Sequence, residues 1–183
     1  MTRTLAMTGA ALYVATLVVV PLANLDRDIP RLHPEDLVDA RLGWLVVAGW
    51  LVFAVALVAT GLLAWRRAGA AVKVAALCLG VAALVSVANA IDPSLGVRRS
   101  PIELGIFGLA VGPLVASFAS KGVALRVLAV AAAAAFAGIV FEADPTGGLM
   151  NRAFDALAAV WCIVFAAMSP GPRGIMRPSG EVA

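Results

Sequence analysis

The residues best suited to chemistry lie in two similar Asp-Pro segments of an otherwise apolar chain. Asp92 and Pro93 belong to "NAIDPSLGVRRSP", and Asp144 and Pro145 belong to "FEADPTGGLMNR". In both segments glycine and then arginine follow the proline. Two such loops over one cavity could bind a polar headgroup or an ion, or hold an acid for proton transfer. Asp before proline is equally typical of a turn at a helix end, because proline disfavours a helical residue before it.

Two ionisable pairs lie beside these segments. Arg99 and Glu103 are four residues apart, and Arg152 and Asp155 are three apart, so each pair shares one face of a predicted helix. Charged groups in membrane segments are costly and face the bundle interior or a partner, so we expect Asp155 to pair with Arg152 near the interface.

The candidate site therefore consists of the polar residues near one predicted membrane boundary. The candidates for acid catalysis are Glu103, Asp92 and Asp155. The candidates for ligand binding are Asn89, Asp92, Arg99, Glu103, Glu142, Asp144, Arg152 and Asp155.

Other sources of chemistry are missing from the sequence, which has no G-x-S-x-G, H-E-x-x-H, P-loop or dinucleotide-binding motif. His33, the sole histidine, lies in a polar loop. Cys78 and Cys162 lie in apolar runs without C-x-x-C spacing, which is typical of buried thiols rather than a disulfide or a metal site. We predict no metal and no cofactor, and the net charge of +3 is too small to indicate a nucleic-acid partner.

The composition indicates an integral membrane protein. Hydrophobic residues make up 62% of the chain and charged residues only 14%, about half of what soluble domains carry. A membrane-spanning helix needs about 20 mostly apolar residues. Six segments qualify or come close: Thr4–Ala23, Leu42–Trp65, Val72–Ile91, Ile102–Ala119, Leu125–Phe141 and Leu149–Met168.

The short connections between most of these segments predict antiparallel neighbours. The expected fold class is all-α, a polytopic membrane bundle of six transmembrane helices arranged as three antiparallel hairpins. One domain would span residues 1–168, and residues 169–183, rich in Pro and Gly, would form a disordered polar tail. We expect the first helix to be retained, because Pro21 stands where a signal peptide needs a small residue.

Charge placement predicts the orientation. Six crossings put both termini on one side, with eight basic residues on that side and six on the other, a bias that favours cytoplasmic termini in the inner (plasma) membrane. Ten of the eleven acids fall on the outer side. Membrane lipids are the expected partners, and small residues such as Gly108 and Gly112 favour close helix packing, within the chain, in a homo-oligomer or with a membrane protein partner.

The chain resembles the bacterial membrane proteins grouped as domain of unknown function 998, from about Tyr13 to Met168. The resemblance lies in the order of "ARLGWLVVAGWLVFAVALVATGLLAWRR", "ANAIDP", "SPIELGIFGLAVGPLVASFA" and "GGLMNRAFDALAAVW". It implies six helices and no assigned reaction. The family often has a histidine at the start of the fourth helix, where this chain has Glu103 as the ionisable residue.

A shorter stretch, "DPSLGVRRSPIELGIFGLAVGPL", is similar to the Pro-x-Glu-Glu region of membrane-bound lycopene cyclases. In those enzymes the paired glutamates are thought to protonate the polyene. Glu103 matches the first position and Leu104 replaces the second, so the acid pair is broken.

Three functions follow as hypotheses. Because no catalytic constellation is complete, we expect a non-enzymatic accessory, sensing or scaffold protein. One alternative is a binder or transporter of a lipid headgroup or small molecule that uses the outer acidic and arginine residues. The other is an intramembrane enzyme that acts on a lipid or isoprenoid by acid catalysis.

Overall fold

In the residues that the computed structural model describes (1–28, 32, 34–67, 69–92, 99–120, 122–140 and 147–169), all regular secondary structure is helical. This confirms the predicted all-α class. The α-helices are α1 (Thr2–Leu22), α2 (Trp44–Trp65), α3 (Ala70–Ile91), α4 (Arg99–Phe118), α5 (Val123–Val140) and α6 (Gly147–Ala167), with a 3₁₀ helix at Pro34–Leu37. They match the six predicted segments to within three residues at each end.

Four of the helices, α1, α2, α3 and α6, are long and apolar enough to cross a membrane. The described apolar stretches of α4 and α5 are shorter, at Phe107–Phe118 and Val123–Ile139. Large apolar side chains also cover the outward faces of the helices, with Leu84 72% exposed and Val127 62% exposed. Exposed apolar surface of this extent indicates a membrane protein.

Each helix packs against the next one in the chain, and α1 also packs against α6, so the helices form a closed ring. Helix α6 additionally contacts α2 and α4. Its large aromatic residues are accordingly fully buried, and 0% of Phe154, Trp161 and Phe165 is exposed. Polar residues carried by α6 therefore have neighbours on several helices.

Small residues allow the closest helix approaches. A Cβ atom on Gly108 would lie 2.7 Å from the Cys78 carbonyl oxygen of α3, and one on Gly112 would lie 3.2 Å from the Cys78 Cβ. These two α4 positions are the ones whose spacing predicts tight packing. Glycine at Gly108 is thus required by a neighbouring backbone.

The segment between α1 and α2 folds back onto the bundle. The 3₁₀ helix contacts both α2 and α6. A Cβ atom on Gly43 would lie 1.8 Å from the Val38 carbonyl oxygen, so only glycine permits this tight entry into α2. The segment thereby covers one end of the bundle.

Candidate functional site

Asn24 fixes the covering segment to the end of α1. Its Nδ2 donates to the carbonyl oxygens of Val20 and Arg41, both at 2.8 Å, and its Oδ1 accepts from the Arg41 N–H at 2.9 Å. Only 1% of Asn24 is exposed. Because one buried side chain bonds backbone groups of both Val20 and Arg41, it holds the two ends of the segment together.

Arg152 extends from α6 to the same segment. Its Nη1 donates to the Leu32 carbonyl oxygen at 2.8 Å, and only 8% of the residue is exposed. A buried guanidinium is stable only when acceptors surround it. Arg152 therefore ties the start of α6 to the segment that joins α1 and α2.

Tyr13 links α1 to α6 one helical turn deeper. Its hydroxyl donates to Oδ2 of Asp155 at 2.8 Å, and its ring stacks on Phe53 of α2 with 4.2 Å between ring centroids. Only 2% of Tyr13 is exposed. The chain's one tyrosine thus brings a carboxylate of α6 to the interface of three helices.

A small cavity lies beside these contacts, between α1, α2, the 3₁₀ helix and α6. Its volume is about 10 Å³, room for roughly one water molecule. The lining residues are mostly apolar, and they are Tyr13, Thr16, Leu17, Val20, Pro21, Pro34, Leu37, Val46, Trp50 and Arg152. Ligand pockets for drug-sized molecules measure about 300–1,000 Å³, so this cavity does not accommodate one.

Of the residues predicted from the Asp-Pro segments, the structure describes two at the end of α3. Asp92 is exposed, and Asn89 is half-buried. The Oδ1 atom of Asn89 is buried and has no hydrogen-bond partner among the residues whose placement is described.

The remaining predicted residues divide into two groups. Arg152 and Asp155 lie in α6 with the partners given above. Arg99 and Glu103 lie in the first turns of α4, but their side chains, like the whole of Glu142 and Asp144, are outside the described residues. The prediction that the two Asp-Pro loops converge therefore stays a prediction.

The far end of α6 carries a polar network that the sequence reasoning missed. Arg67, which follows α2, donates from Nη2 to the Ser169 hydroxyl at 2.9 Å and from Nη1 to the Ser120 hydroxyl at 3.4 Å. Its guanidinium carbon also lies 4.1 Å from the centre of the Phe165 ring. The C-terminal ends of α2, α4 and α6 are thus joined by one side chain.

Burial lowers the pKa of Arg67 from its usual value, since desolvation disfavours the charged form. An arginine remains cationic in proteins nevertheless. A cation at three helix C-termini is electrostatically favourable because helix carbonyl ends carry partial negative charge.

Ser169, the first residue of the predicted disordered tail, is only 4% exposed, and residues 170–183 lie outside the described ranges.

A second set of hydrogen bonds joins α4, α5 and α6 next to this network, closer to the middle of the bundle. The Trp161 indole N–H donates to the Ser117 hydroxyl at 2.8 Å, and that hydroxyl donates to the Leu125 carbonyl oxygen at 3.0 Å. Both Trp161 and Ser117 are fully buried. A buried indole and a buried hydroxyl each find a partner in this way.

Two signals could have identified these residues from the sequence. Tyr13 is the only tyrosine, and it lies inside an apolar segment, where its hydroxyl needs a partner. Arg67 lies two residues after a predicted helix and Ser169 directly after another, where orphan carbonyls attract donors.

Metal chemistry finds no support in the described ranges, where no three His, Cys, Asp or Glu residues are grouped to hold an ion. Cys78 is half-buried and Cys162 is buried, and both are free thiols.

The chain matches no protein-family model, and it matches neither a curated protein nor a solved structure. The resemblance to the domain of unknown function 998 proteins therefore stays a prediction.

Proposed function

We propose that the chain is a non-enzymatic integral membrane protein that acts as an accessory, sensing or scaffold subunit. One observation carries this proposal: the buried polar side chains near Arg152 and near Arg67 serve as ties between helices. Tyr13, Arg152 and Arg67 each donate to a different part of the chain. The cavity beside Arg152 has room for about one water molecule.

We further propose six membrane spans in three antiparallel hairpins. The contacts between paired helices support this arrangement. A Cβ atom on Gly9 would meet Ala56, whereas one on Gly49 would meet Thr16, so the sequence order of the contacts is reversed between α1 and α2. The same reversal relates α3 to α4, where Gly108 approaches Ala82 and Gly112 approaches Ala75.

Both termini are proposed to be cytoplasmic. The connection between α2 and α3 and the starts of α1, α3 and α5 carry basic residues, and among described positions these are Arg3, Arg66, Arg67, Lys73 and Arg126. Excess Lys and Arg in short loops favours the cytoplasmic side. The inner (plasma) membrane is the corresponding location.

Cysteine labelling in intact cells tests the orientation. The background is Cys78→Ala with Cys162→Ala, and single cysteines are placed at two exposed positions, Asp28 and Ala70. A membrane-impermeant maleimide should label Asp28→Cys in intact cells and Ala70→Cys only after permeabilisation. Labelling of both positions from the same side would contradict the proposed topology.

Lipid mass spectrometry tests the non-enzymatic role. Cells that lack the protein, cells that produce it, and cells that produce Asp155→Asn should contain the same lipid species, because the proposal assigns Asp155 to helix packing. A species that the wild-type protein restores and Asp155→Asn does not, at equal protein level, would instead establish the enzyme hypothesis.

A further inference from the structure

Two arginines converge on one serine at the end of the bundle that contains Arg67. Arg67 donates to the Ser120 hydroxyl at 3.4 Å. Arg126, in the first turn of α5, donates from Nη2 to the Ser120 carbonyl oxygen at 3.1 Å. Like charges in such proximity repel each other, so a bound anion would stabilise this arrangement.

No acidic side chain offsets these two charges within the described ranges. The acidic residues there all belong to the segment that covers the other end, to the end of α3, or to the early turns of α4 and α6, and they are Asp26, Asp28, Glu35, Asp36, Asp39, Asp92, Glu103 and Asp155. From Asp155, the nearest of them along α6, to Ser169 the helical rise is about 21 Å.

Donor groups are available around Ser120. A guanidinium has five N–H donors, and Arg67 and Arg126 each use two of theirs in hydrogen bonds within the described ranges. Helix α5 begins at Val123, and the first N–H groups of a helix form a favourable site for an anion. Arginine forks and helix N-termini are the groups that proteins use for phosphate.

Exposed aromatic side chains indicate the depth at which Arg67 and Arg126 lie in a membrane. Trp65 is 49% exposed and Phe118 is 64% exposed. The Nζ of Lys73 lies 5.7 Å from the Trp65 ring centre, and the guanidinium carbon of Arg126 lies 5.9 Å from that of Phe118. Aromatic and basic residues together are typical of the headgroup level.

We propose that Arg67 and Arg126, which meet at Ser120, bind a phosphate group, which an anionic phospholipid would present at the depth of Trp65 and Phe118. Arg67 also ties α4 to α6, so its replacement would disturb the fold as well as the site. Arg126 is exposed, so its replacement should disturb the fold less, and Arg126→Lys keeps the positive charge while changing its bonds to the carbonyl oxygens of Ser117 and Ser120.

The experiment measures the shift in Tm of the full-length protein in a zwitterionic detergent, because a ligand that binds the folded state raises Tm. The probes are phosphatidylglycerol, phosphatidylcholine with the same acyl chains, and inorganic phosphate. The variants are Arg126→Gln, Arg126→Lys, and the matched control Arg66→Gln, which removes an exposed arginine from the same end without touching Ser120.

We expect phosphatidylglycerol to raise Tm more than phosphatidylcholine. Arg126→Gln should weaken the apparent affinity about tenfold, as for the loss of one charge-assisted contact, with Arg126→Lys intermediate and Arg66→Gln close to wild type. If inorganic phosphate raises Tm in a way that depends on Arg126, and phosphatidylglycerol does not, the phosphate site is upheld and its ligand is a soluble phosphate.

Two results would overturn the proposal. Equal Tm shifts with phosphatidylglycerol and phosphatidylcholine, with none from inorganic phosphate, would show that no phosphate site exists. Equal losses of affinity in Arg126→Gln and Arg66→Gln would show a general attraction of the basic end for anions rather than a site at Ser120.

Discussion

Arg152 and Arg67 lie at opposite ends of the bundle and are surrounded differently. Residue 152 and residue 169, the partner of Arg67, are about 25 Å apart along the helical rise. Arg152 is covered by the segment between α1 and α2 and donates to a backbone carbonyl. Arg67 donates to two serine hydroxyls and lies on an aromatic ring.

The difference follows from what each end needs. Near Arg152 a long acidic segment must be held against the helices, and Asn24 and Arg152 do this through backbone groups. Near Arg67 the turns are short, and three helix C-termini need a cation. Among the described residues the acids therefore lie toward the Arg152 end, and the basic side chains at the Arg67 end have no acidic partner there.

The largest loss of stability is expected for Asn24→Ala, at the end of the bundle that contains Arg152. This change removes three hydrogen bonds and leaves backbone groups of Val20 and Arg41 without that partner, so the free energy of unfolding should fall by about 3 kcal/mol. Unfolding in mixed micelles with increasing dodecyl sulfate measures it. The control is Asp26→Asn, which weakens only the exposed 3.8 Å ion pair with Arg41 and should not change stability measurably.

At the Arg67 end, Arg67→Met should lower the free energy of unfolding by about 2 kcal/mol, because two charge-assisted bonds and a cation–π contact are lost. The same titration measures this loss, with Arg66→Met as the matched control. An equal result for both arginines would show that Arg67 does not tie α2 to α4 and α6.

Trp161→Phe is expected to cost about 1–2 kcal/mol, because it removes the indole bond to Ser117 and leaves part of a fully buried volume empty. The partner variant Ser117→Ala should cost about 1 kcal/mol, and the double variant should cost less than the sum of the two. Additive losses would show that the two side chains act independently.

Sequence reasoning predicted the helices well because twenty-residue apolar runs have one stable form in a membrane. It also predicted that Gly108 would allow a close helix approach, since small residues at that spacing favour tight packing in lipid, and the structure shows that the neighbour is α3. The partners of Arg152 and Asp155 were harder to predict from the sequence. Leu32 is a backbone acceptor with no side-chain signature, and Tyr13 is 142 residues away from Asp155.

Arg67 shows a different limit. Its position after α2 predicts contact with that helix's own carbonyls, but its acceptors belong to Ser120 and Ser169. Only the packing of α6 against both α2 and α4 brings these residues together. A ring of helices has no signal in the sequence, because lipid-facing and protein-facing positions are equally apolar.

If the buried polar side chains tie the helices together, Tyr13 of α1 and Asp155 of α6 must be energetically coupled, and a double-mutant cycle measures that coupling. Tyr13→Phe, Asp155→Ala and the double variant are unfolded in the same micelles, and the coupling between the two sites is calculated. For a hydrogen bond between membrane helices we predict a coupling of about 0.6 kcal/mol, and at most about 1.7 kcal/mol. A coupling of zero, with both single variants as stable as the wild type, would show that Tyr13 and Asp155 do not tie α1 to α6.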